Sequence, residues 1–331
     1  YVFCILNVVC TLKVMTFDLF RHPALTRENQ TRQFADLIES FNPDIVTVQT
    51  KRDIWYSYNP FKELLNKLED GWSGVESCDS KHGILTRHKI LGLYETVSTG
   101  INARIQLTET GLEVSVWSIR FFHEHRNEHY VRYYPTYGSK LFFTGDLETV
   151  KYKGRVHNMV ELLLHREFIQ QIYNADNVPV IVAGAFHTPS HRDWTEATKD
   201  RHQGLVIDWP VIKLIENAAG MTDSFREVHP DPYAFPGYTQ EQTTKDGSEG
   251  YKTRDSFIFY RGPFHAIESE THRFIERLIS GNGMFSYNIS CVHTEFELTS
   301  HYLEHDKPSF FINPAYANDT FTPYECVANP L

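Results

Sequence analysis

The sequence is poor in cysteine, has no excess of positive charge and contains no apolar run long enough to span a membrane. Five cysteines occur among 331 residues, and no two of them form a Cys-x-x-Cys pair. This argues against a cysteine-based zinc or redox centre. The formal net charge is −10, whereas duplex-binding proteins normally present a basic face. We therefore expect a globular protein for which nucleic acid is a disfavoured partner.

The first ten residues, Tyr1 to Cys10, are apolar and typical of the end of a secretory signal peptide. We expect residues 1–10 to be the remnant of such a peptide, and an extended first strand is the alternative. Asn-x-Ser/Thr sequons at Asn29, Asn288 and Asn318 are compatible with export. The sequence thus predicts a secreted, extracellular glycoprotein.

Loss of the leader would leave three cysteines, Cys78, Cys291 and Cys326. They allow one disulfide and one free thiol, and the sequence does not determine which two are paired. No repeat, linker or low-complexity run interrupts the chain. We therefore expect one domain over residues 11–315, followed by a C-terminal tail at 316–331.

A buried strand near the middle of the chain ends in a group of functional residue types. Val180 to Ala183 are four apolar residues, which is typical of a strand buried on both faces. Gly184 and Pro189 then mark its end, and polar groups at such strand ends usually face a cleft. Apolar periodicity predicts further strands at 13–20 and 112–119 and helices at 27–41 and 155–173. Residues 240–250 are polar and contain glycine, which predicts a loop.

The stretch from Gly184 to His191 reads Gly-Ala-Phe-His-Thr-Pro-Ser-His. It resembles the motif Gly-Asp-Phe-Asn-x-Pro-Ser-His of the endonuclease/exonuclease/phosphatase superfamily, which comprises metal-dependent phosphodiesterases with a pancreatic-deoxyribonuclease-like fold. Other matching segments follow in the family's order, among them 43–49, 83–90, 223–230 and 253–262. The resemblance covers residues 13–312. It implies a four-layer α/β sandwich, with two mostly antiparallel β-sheets packed face to face and helices on both outer faces.

The resemblance fails at the positions that carry the family's chemistry. The family residues that are replaced include the Asn of its first strand, the Glu that holds the metal, a His that contacts the phosphate and an Asp-x-Asn pair. A further catalytic Asp is Ser in this sequence. The family's terminal Asp-His matches Glu304-His305-Asp306 in inverted order, with 295–296 as a second possible placement. The degenerate positions are Asp18, Thr50, Arg120, Ala185, His187, Ser256, His305 and Asp306. Because Mg²⁺ prefers carboxylate oxygens, we expect no magnesium site and no hydrolysis.

One alternative to a lost active site is open. Asp18, His187, His305 and Asp306 are candidates for a rebuilt transition-metal site, since Asp and His are typical zinc ligands. Asp255 precedes the replaced Ser256, but a shift of one residue along a strand would turn it to the other face. A His-x-x-Glu-His sequence at 125–129 follows a strand, whereas zinc binding by this motif needs a helix, so a solvated loop is favoured.

Aromatic residues make up 14% of the chain, which indicates either a β-rich core or an aromatic-lined pocket or assembly surface. We predict a non-catalytic relative that binds or carries a small apolar or aromatic ligand, such as a carotenoid pigment, haem or a lipid, or that self-associates. Trp117, Phe121 and Phe186 lie beside replaced positions and are the candidate ligand-binding residues. The alternative function is a metal-dependent phosphodiesterase or nuclease with a rebuilt active site.

Overall fold

The computed structural model describes residues 11–19, 27–50, 59–93, 97–121, 155–202, 204–243, 249–280, 283–298 and 329–330. Several predicted features lie outside these residues. They are the apolar residues 1–10, the His-x-x-Glu-His sequence at 125–129, His305, Asp306, Asn318 and Cys326.

The described chain forms two β-sheets and a separate two-stranded ribbon. The strands are β1 (Thr11–Leu19), β2 (Ile45–Thr50), β3 (Ser73–Glu76), β4 (His82–Thr86), β5 (Lys89–Leu93), β6 (Gly100–Gln106), β7 (Glu113–Arg120), β8 (Val180–Ala185), β9 (Thr222–Asp223), β10 (Gln240–Thr243), β11 (Glu249–Thr253), β12 (Ser256–Arg261), β13 (Phe264–Ser280), β14 (Gly283–Leu298) and β15 (Asn329–Pro330). The first sheet has the order β13-β14-β1-β2-β4-β3-β15, and the second has β5-β6-β7-β8-β12-β9. Among the described strand pairs, β1–β2 and β7–β8 are parallel and the others are antiparallel.

Helices cover the outer face of each sheet. They are α1 (Arg27–Phe41), α2 (Pro60–Leu65), α3 (Arg155–Leu164), α4 (Arg166–Tyr173), α5 (Pro210–Ala219) and α6 (Ser224–Val228), with a 3-10 helix at Glu196–His202. Helices α1 and α2 pack on the first sheet, and α3, α4 and α5 pack on the second. No helix among the described residues is long and apolar enough to cross a membrane.

Successive residues of the central strands point into different layers, as the pleat of a strand requires. Val116 and Ile181 are buried between the two sheets, whereas Trp117 and Val182 are buried between the second sheet and its helices. The predicted four-layer sandwich is therefore confirmed.

Two elements differ from their predictions. The helix predicted over 155–173 is divided, because His165 has an extended conformation (φ −66°, ψ 127°) between α3 and α4. The predicted loop at 240–250 contains β10 and the start of β11, which pair with each other. Their sequences lack an apolar alternation, which is the pattern from which strands are predicted.

A buried network of two arginines and two aspartates joins three distant segments. Arg254 donates to Asp193 Oδ2 at 2.9 Å and to Asp223 Oδ2 at 2.7 Å. Arg226 donates to Asp193 Oδ1 at 2.8 Å. All four side chains are buried and each charge faces an opposite charge. This arrangement satisfies the condition under which buried charges are tolerated.

The two described cysteines have different states. Cys78 is disulfide-bonded, whereas Cys291 is a buried free thiol. Burial raises the pKa of the Cys291 thiol to about 12, so this side chain is an inert part of the core.

Gly184 on β8 lies against the backbone of β7, where a side chain has no room. Its φ is +152°, and a Cβ atom at this position would lie 1.9 Å from the carbonyl oxygen of Ile119. The close approach places the ends of these two parallel strands side by side, so that Arg120 is in register with Ala185.

We expect Gly184→Ala to destabilise the protein by about 3 kcal/mol or more, because the methyl group overlaps backbone atoms that cannot move away. Urea unfolding of the variant and of Gly92→Ala checks this. A Cβ atom on Gly92 meets no atom within 4 Å, so this control should be close to the wild type. Equal losses in the two variants would contradict the prediction.

A buried histidine, His82, lies on β4 near the end of β7. Burial lowers the pKa of His82 to about 4, opposed by the charge of Asp79 and reinforced by the charge of Arg120. In the unfolded chain the same imidazole has the ordinary histidine pKa of 6.5. The folded protein therefore holds His82 neutral at a pH where the unfolded chain has begun to bind a proton.

This difference predicts a loss of stability on acidification. Between about pH 6.5 and about pH 4 the unfolded chain binds the His82 proton and the folded chain does not, which removes up to about 3 kcal/mol as the pH falls. Urea unfolding at about pH 7 and about pH 4.5 should show a smaller loss in His82→Gln than in the wild type. Burial also lowers the pKa of His293 to about 4, but His293 is present in both proteins. Equal pH dependence in both would contradict the prediction.

Candidate functional site

Several of the degenerate positions meet at one end of the sandwich, between the two sheets. Asp18 and Thr50 lie at the ends of the parallel strands β1 and β2, and Arg120 and Ala185 at the ends of β7 and β8. Ser256 begins β12 in register with Ala185. The strand register therefore brings five replaced positions together at this end of the sandwich, although they come from separate parts of the sequence.

Asp18 and Arg120 form an ion pair across the gap between the sheets. The Arg120 Nε atom lies 3.3 Å from Oδ1 and 3.2 Å from Oδ2 of Asp18. The side chains of Arg120 and Asp18 are 12% and 24% exposed, so the pair is shielded from solvent more than an ordinary surface ion pair. A cation supplied by the chain itself thus occupies both oxygens of the first-strand carboxylate.

His187 lies between two carboxylates immediately after β8. Its Nε2 atom is 3.6 Å from Asp18 Oδ2, and its Nδ1 atom is 3.6 Å from Asp255 Oδ2. The residue has a positive φ of 50°, which is uncommon for a residue with a side chain. Its backbone N–H donates to the Asp255 carbonyl at 3.2 Å. The left-handed turn is thereby held in place and directs the imidazole toward Asp18.

Asp255 is a site residue that the sequence prediction placed wrongly. Its carboxylate faces His187, and its Oδ1 accepts a hydrogen bond from the Thr239 hydroxyl at 2.9 Å. The argument from strand alternation fails because Asp255 precedes β12, which begins at Ser256, so the pleat does not fix its direction. The one signal in the sequence was an acidic residue adjacent to a replaced catalytic position.

The other replaced residues contribute no charged group to the site. The Thr50 hydroxyl donates to the Leu19 carbonyl at 3.4 Å, and Ala185 is buried with a side chain that has no donor or acceptor. The Ser256 N–H donates to the Thr239 hydroxyl at 3.1 Å. Each residue is accommodated by local packing or backbone contacts.

A buried polar network lies between the sheets beside this site. The Gln49 amide donates to the Ser118 hydroxyl at 3.0 Å, which links β2 to β7. The Thr47 hydroxyl donates to Thr16 at 2.7 Å, and Thr16 in turn donates to Gln49 at 3.3 Å. These uncharged groups satisfy one another, so they support the site without adding charge to it.

The described residues do not fit a divalent cation. No group of three or more His, Cys, Asp or Glu side chains within them is arranged to hold a metal ion. Asp18 and His187 do come together, as the rebuilt-site alternative requires, but both Asp18 oxygens are occupied by Arg120. A hard cation would have to displace this guanidinium from its carboxylate. The remaining candidates, His305 and Asp306, lie outside the described residues.

The three aromatic candidates are fully buried in the layer between the second sheet and its helices. Trp117 donates its indole N–H to Gln171 at 2.8 Å, and Phe121 packs edge-on against Phe186 with ring centroids 5.2 Å apart. The structure therefore places these rings in the core and not along the cleft, although both phenylalanines directly follow residues of the site. Ligand binding by them stays a prediction.

The sequons are placed only by their backbone. Asn29 lies in the first turn of α1, and Asn288 lies on β14 opposite Ile275. Asn318 is outside the described residues. Glycosylation at the three positions stays a prediction.

Solved structures with the same fold have low sequence identity to this chain. An endonuclease/exonuclease/phosphatase family protein from Bacteroides thetaiotaomicron has a TM-score of 0.55 and 15% identity, covering 88% of this chain and 100% of its own. TDP2 of D. rerio, complexed with a single-strand DNA product, has a TM-score of 0.53 and 14% identity, covering 86% and 98%. The mannosyl-6-phosphatase Bt3783 of B. thetaiotaomicron has a TM-score of 0.53 and 14% identity, covering 86% and 99%. These similarities confirm the resemblance in fold.

No family model matches the chain. Its sequence is similar, however, to "Uncharacterized protein F14F9.5" of Caenorhabditis elegans, with 30% identity over 266 residues that cover 76% of this chain and 79% of the relative. The chain therefore belongs to the same protein family as F14F9.5 and has the endonuclease/exonuclease/phosphatase fold.

Proposed function

We propose that the protein is a secreted, non-catalytic member of this fold that acts by binding. The observation that carries the proposal is the ion pair between Asp18 and Arg120, in which a guanidinium contacts both oxygens of the first-strand carboxylate. The family's metal-holding Glu is replaced by Thr50, so Asp18 is the carboxylate that the ends of β1 and β2 offer to a cation. Arg120 neutralises this carboxylate from within the chain.

The replaced residues support loss of hydrolysis for separate chemical reasons. Arg120 stays protonated near neutral pH and cannot accept a proton as the family's His would. Ala185 and Thr50 supply no carboxylate for metal binding or for activating water. A general acid or base contributes about 10²–10⁴-fold to a rate, and groups that act together give losses that are not additive. Together, these replacements remove carboxylates and a base on which hydrolysis in this family depends.

We expect the purified protein to show no turnover of DNA, RNA, sphingomyelin or phosphoinositides with magnesium, manganese or calcium. The assay compares the wild type with Arg120→Gln, with and without a chelator. A contaminating enzyme would act equally in both preparations, whereas activity of this site would change with residue 120. Turnover near ~10 s⁻¹, abolished by the chelator and altered in Arg120→Gln, would contradict the proposal.

The second candidate function is a phosphodiesterase with a rebuilt metal site. The contact between His187 and Asp18 is the observation in its favour, because it joins two residues of the predicted ligand set. Chelator-sensitive turnover that is lost in His187→Gln, together with bound zinc in the purified wild type, would support it over a non-catalytic role.

The binding role includes a small apolar or aromatic molecule, such as a pigment, haem or a lipid, or a second copy of the chain. Burial of an apolar group is worth about 25 cal/mol per Å² before the cost of association. Trp117, Phe121 and Phe186 already pack against other residues of the core. A ligand at these rings would have to separate them, so a site elsewhere on the chain is favoured.

Export is supported by the disulfide at Cys78, since stable disulfides form in oxidising compartments.

We expect natively purified protein to lack residues 1–10 and to carry glycan at one or more of Asn29, Asn288 and Asn318. Intact mass with and without glycosidase treatment, together with N-terminal sequencing, checks both points. Absorbance of the same sample tests for a bound pigment or haem. A glycan-free mature chain that begins at Tyr1 would contradict export.

A further inference from the structure

We propose that a small cavity beside Arg226 is a binding site for one chloride-sized anion, held by the Arg226 guanidinium. The walls of the cavity come from three segments of the chain, at 193–202, 226–238 and 253–254. None of the strand-end positions described above lines it. The inference therefore goes beyond the proposed function and does not depend on whether the protein is catalytic.

One nitrogen atom of Arg226 is buried without an acceptor. The residue is 1% exposed, and its Nη2 atom makes no hydrogen bond within the described residues. The other nitrogens are bound, since Nε donates to Asp193 Oδ1 at 2.8 Å and Nη1 donates to the carbonyls of His229 and Phe235 at 2.9 and 2.7 Å. These bonds fix the orientation of the rigid guanidinium fork. A buried donor of a charged group is costly without an acceptor, so Nη2 is a place for a ligand.

The two arginines of the buried network are paired unequally. Arg254 makes four hydrogen bonds to the carboxylates of Asp193 and Asp223. Arg226 makes only one hydrogen bond of this kind, to Asp193. Burial and the charge of Arg254 lower the pKa of Arg226. Burial also acts to lower the pKa of Arg254, but the charges of its two aspartates outweigh burial and raise it. Arg226 is thus the guanidinium that is short of negative charge.

The cavity has the size and the charge for a monatomic anion. It holds about 10 Å³ for the centre of a water-sized sphere, which is room for one small particle and not for a polyatomic anion such as sulfate. Arg201 adds a cation to the wall, and its Cζ atom lies 4.1 Å from the centre of the exposed Tyr233 ring. A water molecule in the cavity would satisfy the Arg226 N–H group, whereas an anion would also balance its charge.

The negative charge already in the wall is shared among guanidinium groups. Asp193 lines the cavity, but its Oδ1 accepts from Arg226 and Arg254 and its Oδ2 accepts from Arg254. Asp200 accepts a hydrogen bond from the Tyr233 hydroxyl at 3.5 Å, but it is exposed and is not part of the wall. An entering anion therefore meets positive charge that the existing carboxylates do not fully neutralise.

Crystals of the wild-type protein soaked in sodium bromide test the site directly, because bromide replaces chloride and is located by its anomalous scattering. We expect an anomalous peak inside the cavity, in contact with Arg226 Nη2. Bromide found only at exposed side chains, or a cavity that holds only water, would overturn the proposal.

The chloride affinity in solution is measured from urea unfolding at constant ionic strength, with chloride replacing gluconate. The free energy of unfolding of the wild type should rise along a saturating curve, since a bound anion stabilises the folded state. Arg226→Lys keeps a charge beside Asp193 but removes Nη2, and Arg201→Gln removes the exposed cation of the wall. We expect each variant to bind chloride about tenfold or more weakly than the wild type.

Arg87→Gln is the matched control, because it removes a cation that pairs with Glu39 next to the first sheet. It should keep the wild-type chloride affinity, whereas a general salt effect would be the same in all the proteins. Equal chloride dependence in the wild type and in Arg201→Gln would overturn the proposal, even where Arg226→Lys does not fold. Turnover in the hydrolysis assay would overturn only the non-catalytic function.

Discussion

The buried ion network around Arg254 is the constraint on which the geometry of the site depends. One guanidinium bridges Asp193, which follows β8, and Asp223, which precedes α6. Although burial alone would raise the pKa of Asp193, the charges of Arg254 and Arg226 lower it, so the carboxylate stays ionised in the core. This anchoring fixes the chain immediately before β12. The next residue, Asp255, is thereby held against His187, and the imidazole is directed to the Asp18–Arg120 pair.

The site and the scaffold differ in how their charges are neutralised. In the scaffold, the arginines and aspartates of the network pair with one another in full burial, although one terminal nitrogen of Arg226 makes no hydrogen bond within the described residues. At the strand ends, Arg120 neutralises Asp18 while His187 remains partly exposed and incompletely bonded. The two clusters therefore differ in exposure and in the strength of their pairing.

The proposed loss of the reactive groups is physically compatible with retention of the fold. The close approach of β7 and β8 depends on Gly184, and the layers depend on alternating apolar residues such as Val116 and Trp117. None of these requirements involves a metal or a carboxylate in the cleft. The residues that would carry catalysis can therefore change while packing continues to specify the same sandwich, and fold similarity alone does not show activity.

The sequence by itself indicated the fold class and several elements, among them β1, α1, β7 and β8, because apolar periodicity and the family motifs are local properties of the chain. It also identified Asp18, Arg120 and His187 as altered positions. It did not determine that these three meet, since their contact depends on strand register across two sheets. Only the tertiary structure showed that Asp255, just outside β12, joins them, because a residue before a strand is free of the pleat. It also showed that Trp117, Phe121 and Phe186 face the helices. Both faces of the second sheet are buried, so the apolar pattern alone does not indicate which layer a residue enters.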